Sequence, residues 1–135
     1  MVWPVSKSGA LYAGAKLLRV IPDEAGGELF IRAVFDENEK RDVVYEGMFY
    51  SQLGEGSAGL TISLVTEITP EQLKEPRYWQ AAARLYEDCG ADDAFLQDMV
   101  RRGSHLYAHH TEDGGEYIVL AKQMTFGKGL DPDGA

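Results

Sequence analysis

The sequence predicts a mixed, mainly β chain: a small antiparallel β-barrel of OB type with a helical insert. Three observations predict it. The first half carries successive runs of β-forming residues joined by short turns. From Thr69 to Gly103 the apolar spacing changes to that of helices. The chain then returns to alternating residues on either side of Gly114-Gly115. Three or four strands, a helical segment and a closing hairpin match a Greek-key barrel whose five strands are interrupted by one helical connection. An α+β roll, with helices packed on one sheet, is the alternative.

The first strand is expected within Ala10–Ile21, on the run Leu17-Leu18-Arg19-Val20-Ile21, with Pro22 to Gly27 as the turn. In the second, Leu29, Ile31, Ala33 and Phe35 alternate with Phe30, Arg32 and Val34, so the two sets fall on opposite faces. Asp36 to Asp42 is expected as a charged loop, and Val43 to Tyr50 as the third strand of a meander. Leu60, Ile62 and Leu64 alternate with Thr61, Ser63 and Val65 in a fourth strand or an extension of the third. Thr69-Pro70-Glu71-Gln72 opens a helix with a capping residue, Pro at the first helical position and Gln three residues on. Pro76 must break that helix. Trp79, Ala82, Ala83 and Tyr86 then form an apolar face, with Gly90 as the stop. Asp92 caps a shorter helix with Phe95, Leu96, Met99 and Val100 on one side and Arg101 and Arg102 in the last turn. His105 to His110 and Glu116 to Phe126 close the chain as a hairpin.

A length of 135 residues fits one domain, here 10–126, between a loose N-terminal arm at 1–9 and a flexible C-terminal tail at 127–135. Cys89 is the single cysteine, so no internal disulfide can form and a reducing, cytoplasmic location is expected. Neither a leader segment nor an apolar stretch near the roughly 20 residues of a membrane span is evident, so no membrane association is expected. The formal charge of −9 argues against indiscriminate attraction to phosphates, although a local basic groove can sit on an acidic body.

Gly54-Glu55-Gly56-Ser57-Ala58-Gly59 has the spacing of a dinucleotide-binding loop, but it leads into Leu60-Thr61-Ile62-Ser63-Leu64, which is strand-like. The phosphate cradle needs a helix there, so an inter-strand loop is the better assignment. His105 and His109 share a strand face but lie roughly 13 Å apart at ~3.3 Å per residue, and His109 and His110 face opposite ways. They are expected as ordinary hairpin polar residues, and no metal or cofactor is expected. Cys89 has no base nearby in sequence and is expected as a small buried hydrophobe. No pattern of catalytic residues emerges. The strand aromatics and cations remain: Arg19, Phe30, Arg32, Tyr50 and Lys122 are the candidate nucleic-acid-binding residues, because single-strand binders stack bases on rings and track phosphates with cations. Phe30 and Arg32 share the less apolar face of their strand, whereas core packing is the ordinary fate of such rings.

Ala82-Ala83-Arg84-Leu85-Tyr86-Glu87-Asp88-Cys89-Gly90, Leu96-Gln97-Asp98-Met99-Val100-Arg101-Arg102-Gly103, and the hairpin Leu106-Tyr107-Ala108 with Glu116-Tyr117-Ile118-Val119 together resemble small phage-encoded single-stranded-DNA-binding or recombination accessory proteins of OB-like fold. The resemblance implies a non-enzymatic accessory protein whose partner is single-stranded nucleic acid. Two alternatives stand beside it. Asp36 to Asp42, Glu87 to Asp98 and Glu112 to Glu116 could mimic phosphates in an inhibitor of a basic protein partner, a host nucleic-acid-binding complex. Exposed strand edges could instead build a homo-oligomeric structural subunit.

Overall fold

The computed structural model describes residues 14–35, 39–90 and 92–127. The expected arm at 1–9, the start of the first expected strand, residues 36–38 of the expected charged loop and all but the first residue of the expected tail lie outside them. The fold is mainly β: an eight-stranded antiparallel sheet with two helices.

The first three strands are β1 (Ala15–Asp23), β2 (Glu28–Phe35) and β3 (Glu39–Glu46), and they form the expected meander. β1 runs two residues into the expected turn, so Pro22 sits in the strand opposite Leu29. It is tolerated because strand pairing on β1's other side extends only over Ala15 and Lys16, and the missing N–H breaks no ladder there. Likewise β3 starts inside the expected charged loop. Lys40, Arg41 and Asp42 are strand residues, held opposite Val34, Ala33 and Arg32.

Gly47 to Phe49 interrupt the run before a two-residue strand, β4 (Tyr50–Ser51). Gly47 has φ +63 and lies under Lys122, where an added Cβ would come within 2.8 Å of the lysine chain. Only glycine suits both demands. The glycine-rich loop makes a short 3-10 turn at Glu55–Ser57 and enters β5 (Thr61–Ile68), so no helix follows it. In β5 the register slips between Ile62 and Leu64. Beyond that bulge Val65 is buried and Leu64 exposed, which reverses the expected alternation.

The expected capping box is present: Gln72 N–H donates to Thr69 Oγ1 (3.1 Å) and Thr69 N–H to Gln72 Oε1 (2.8 Å). Only a 3-10 turn, Gln72–Lys74, forms before Pro76 ends it. Helix α1 (Trp79–Cys89) buries Ala81, Ala82 and Leu85. Trp79 and Ala83 are exposed, correcting the expected face by one residue, because the stripe starting from buried Tyr78 has the same spacing and includes Leu85. Gly90 adopts the left-handed conformation that stops α1. In helix α2 (Asp93–Arg101) Phe95 N–H donates to Asp92 Oδ1 at 3.0 Å, the expected cap.

β6 (His105–Thr111) and β7 (Glu116–Ala121) form the closing hairpin; β8 (Gln123–Gly127) follows after Lys122 alone. The sheet order is β4-β7-β6-β5-β1-β2-β3-β8. β7 and β8 thus belong to one run of chain yet stand near opposite ends of the order. The sheet is bent until those ends approach along this run, with β3 and β4 pairing beside it.

Two cores result. Leu17, Leu29, Ile31, Val43, Tyr45, Ile62, Val65, Tyr107 and Val119 fill the hollow of the bent sheet. Leu73, Tyr78, Leu85, Leu96, Leu106, Ile118 and Leu120 join the helices to the outer side of β6 and β7. β6 and β7 are therefore covered on both faces, whereas among the described residues the buried cluster around the helices includes no residue of β1 to β3.

Candidate nucleic-acid interface

Strand parity assigns the outer face of the meander. Leu29, Ile31 and Ala33 are buried, so Glu28, Phe30, Arg32 and Val34 point outward. Register then aligns their neighbours into rows. Lys16, Val34 and Lys40 form one row, followed by Arg19, Arg32 and Asp42. Ile21, Phe30 and Val44 come next, and Asp23, Glu28 and Glu46 end the series. A bulge at Leu18 places Arg19 in its row, since the pairing shifts by one residue between Leu17 and Arg19. The face thus grades from basic through apolar to acidic, with rows roughly 7 Å apart along the strands. Four cations and one carboxylate occupy the two rows at its basic end.

That carboxylate belongs to an ion pair. Asp42, 5% exposed, accepts from Arg32 Nε on Oδ1 at 2.8 Å and from Arg32 Nη2 on Oδ2 at 3.1 Å. Arg32 therefore helps hold β2 to β3. Lys16, Arg19 and Lys40 are exposed. Of the expected site residues, Arg19, Phe30 and Arg32 come together, with Phe30 half-buried between Ile21 and Val44.

Tyr50 and Lys122 lie elsewhere. The Tyr50 hydroxyl donates to Asp88 at 2.6 Å and accepts from Gln52 at 3.2 Å, tying β4 to α1. Burial and the bond to Asp88 raise its pKa. Lys122 joins β7 to β8, and its N–H donates to the Glu46 carbonyl. The sequence pattern alone does not single out Lys16 and Lys40. The outward parity of β1 could have indicated Lys16, but Lys40 required knowing that β3 begins before the apolar run.

The three histidines, expected as ordinary hairpin polar residues, each have a defined partner. His109 is fully buried; its Nδ1–H donates to the Tyr117 carbonyl (3.1 Å), leaving Nε2 to accept from the Tyr45 hydroxyl (2.5 Å). Burial pulls its pKa down to about 4, so the ring is neutral near pH 7. His110 points to the helix side, with Nδ1 2.9 Å from Glu116 and 3.1 Å from Arg77, and Nε2 3.2 Å from the Tyr78 hydroxyl. His105 meets Glu67 at 2.6 Å. Alternating parity, joined to burial on both faces, separates these rings. Among the described residues no group of three or more His, Cys, Asp or Glu could hold a metal ion.

Cys89 is half-buried at the end of α1, where burial and Asp88 push its thiol pKa up and disfavour the thiolate. The first acidic stretch, as far as it is described, contains strand residues, and its Asp42 is committed to Arg32. No helix among the described residues is long and apolar enough to cross a membrane. In comparisons with known proteins no family model, no curated protein and no solved structure matches the chain.

Proposed function

We propose that this chain is a non-enzymatic accessory protein that binds single-stranded nucleic acid on the outer face of β1 to β3, of the phage type that its second half resembles. The observation that carries the reading is the register: it gathers Lys16, Arg19, Arg32 and Lys40 beside Ile21, Phe30 and Val44, on a chain of net charge −9. Cations on such a face track phosphates, and the half-buried Phe30 ring offers its accessible part to a base. An OB-type barrel is the scaffold that suits this use. In its support, the run through Lys122 brings the ends of the sheet together, and both helices fall in the single connection between β5 and β6.

The test is fluorescence anisotropy of a labelled oligo-dT strand titrated at low and moderate salt. Saturable binding that weakens with salt is expected. A Lys16→Ala, Arg19→Ala double variant should reduce the slope of log affinity against log salt by about 1.4, at ~0.7 per phosphate contact. Phe30→Ala should weaken binding about tenfold, within the ~1–3 kcal/mol of a stacked base. Absence of binding at low salt, or an unchanged salt slope in the double variant, overturns the assignment.

A further inference from the structure

We propose that the cleft between the start of α1 and the β6–β7 turn is a second binding site, for a single phosphorylated nucleoside, with the base on Trp79 and the phosphate on Arg77 and Arg84. It uses residues distinct from the β1–β3 face and does not depend on strand binding there. The cavity measures about 450 Å³ and is lined by Arg77, Trp79, Gln80, Arg84, Glu116 and Tyr117, among others. That volume lies within the range of small-ligand pockets.

Trp79 is 74% exposed, the most exposed large hydrophobic side chain described. Helix α1 turns Ala81, Ala82 and Leu85 to the core and leaves the indole facing solvent at the cleft. Gln80 and Arg84, four residues apart on α1, share one side of the helix, and Arg77 lines the cleft from the 3-10 turn Pro76–Tyr78 before it. Arg77 and Arg84 have no carboxylate partner among the described residues, whereas Arg32, Arg101 and Arg102 each have one. Arg77 is also positioned in advance, 5.3 Å over the Tyr78 ring and within hydrogen-bond distance of His110. Glu116, the one carboxylate lining the cleft, meets His110 at 2.9 Å. With two arginines against one carboxylate, the lining carries a net positive charge beside an indole.

A ligand that uses all of this carries a planar ring and a dianion close together. Guanidinium groups bind phosphate oxygens in paired fashion, and an indole accepts any base by its π face. Phosphate alone leaves Trp79 unused, and a nucleoside alone leaves both arginines unused. A nucleotide satisfies both, either free or as the 5′ end of a strand.

Trp3 and Trp79 are the two tryptophans of the chain, so a Trp3→Phe background makes emission report on Trp79. In this background AMP should quench the emission saturably, adenosine should bind at least tenfold more weakly, and inorganic phosphate should leave the emission unchanged while competing with AMP at high concentration. Arg84→Ala, on an exposed helical position, should weaken AMP at least fivefold with an unchanged circular dichroism spectrum. Lys16→Ala with Arg19→Ala should leave the AMP titration unaltered, which separates this site from the strand face. A 5′-phosphorylated oligo-dT that competes as well as AMP identifies the ligand as a strand end; competition more than tenfold worse identifies it as a free nucleotide. The proposal is overturned if millimolar AMP produces no saturable quenching, if adenosine equals AMP, or if Arg84→Ala binds AMP as the parent does.

Discussion

Replacing His109 with Gln should remove a large part of the acid sensitivity of this fold. The imidazole is fully buried and neutral, its Nδ1–H bound to the Tyr117 carbonyl and its Nε2 receiving the Tyr45 hydroxyl. Its pKa is lowered from 6.5 to about 4, chiefly by burial, with a smaller contribution from His110. Between these values the unfolded chain binds a proton that the folded chain refuses. Stability from this group is therefore complete above about pH 6.5 and is lost as pH falls toward 4. At about 1.36 kcal/mol per pKa unit, the whole window is worth about 3 kcal/mol, and the fall from pH 7 to pH 5 about 2 kcal/mol. Urea unfolding followed by circular dichroism at pH 7, 6 and 5 measures it. The parent should lose about 2 kcal/mol more than His109→Gln over that range, since the other titrating groups are common to both. If the two proteins lose stability in parallel, His109 is not held neutral by burial and the account of the inner core is wrong.

Three further substitutions probe the frame. Asp42→Asn weakens the bidentate ion pair with Arg32, and a loss of about 3 kcal/mol that changes little with salt should appear in the urea midpoint. Gln52→Ala removes a side chain that accepts from the Ile118 N–H and donates to the Ala81 carbonyl; a loss of about 3 kcal/mol is expected, with faster amide exchange at Ile118. Gly90→Ala forces a Cβ into φ +58 with no nearby atom in the way, so only the backbone term of about 1 kcal/mol should register in thermal unfolding.

Local chemistry was legible in the sequence wherever it decided the structure. The Asp92 cap, the Gly90 stop, the Thr69–Gln72 box and the β6–β7 turn follow from a few adjacent residues, and each appears in the structure. The alternation in β2 correctly separated Phe30 and Arg32 from Leu29 and Ile31. What local pattern could not reveal depends on distant partners. Bulges at Leu18 and near Ser63 change which residues face outward, and only pairing with β2 and β6 defines them. The charged start of β3 is held as strand by its pairing with β2, where Asp42 meets Arg32, ten residues away. In α1 two apolar stripes fitted the spacing equally, and the packing of Leu85 selected the one that leaves Trp79 outside. The same limit applies to the site. Arg19, Phe30 and Arg32 meet because parity and register agree, whereas the break at Gly47 to Phe49 carries Tyr50 away to Asp88.

The run from Glu116 to Gly127 has a consequence for the order of events during folding. It is the last of the described strands to be made, and it pairs with β6 and β4 through its first half and with β3 through its second. The meander and β5 with β6 can pair before this run is in place, but β3 and β6 must wait for a shared neighbour. A chain cut before Lys122 would hold a half-stitched sheet whose apolar hollow, around Tyr45 and Tyr107, lies open to water and to chaperones.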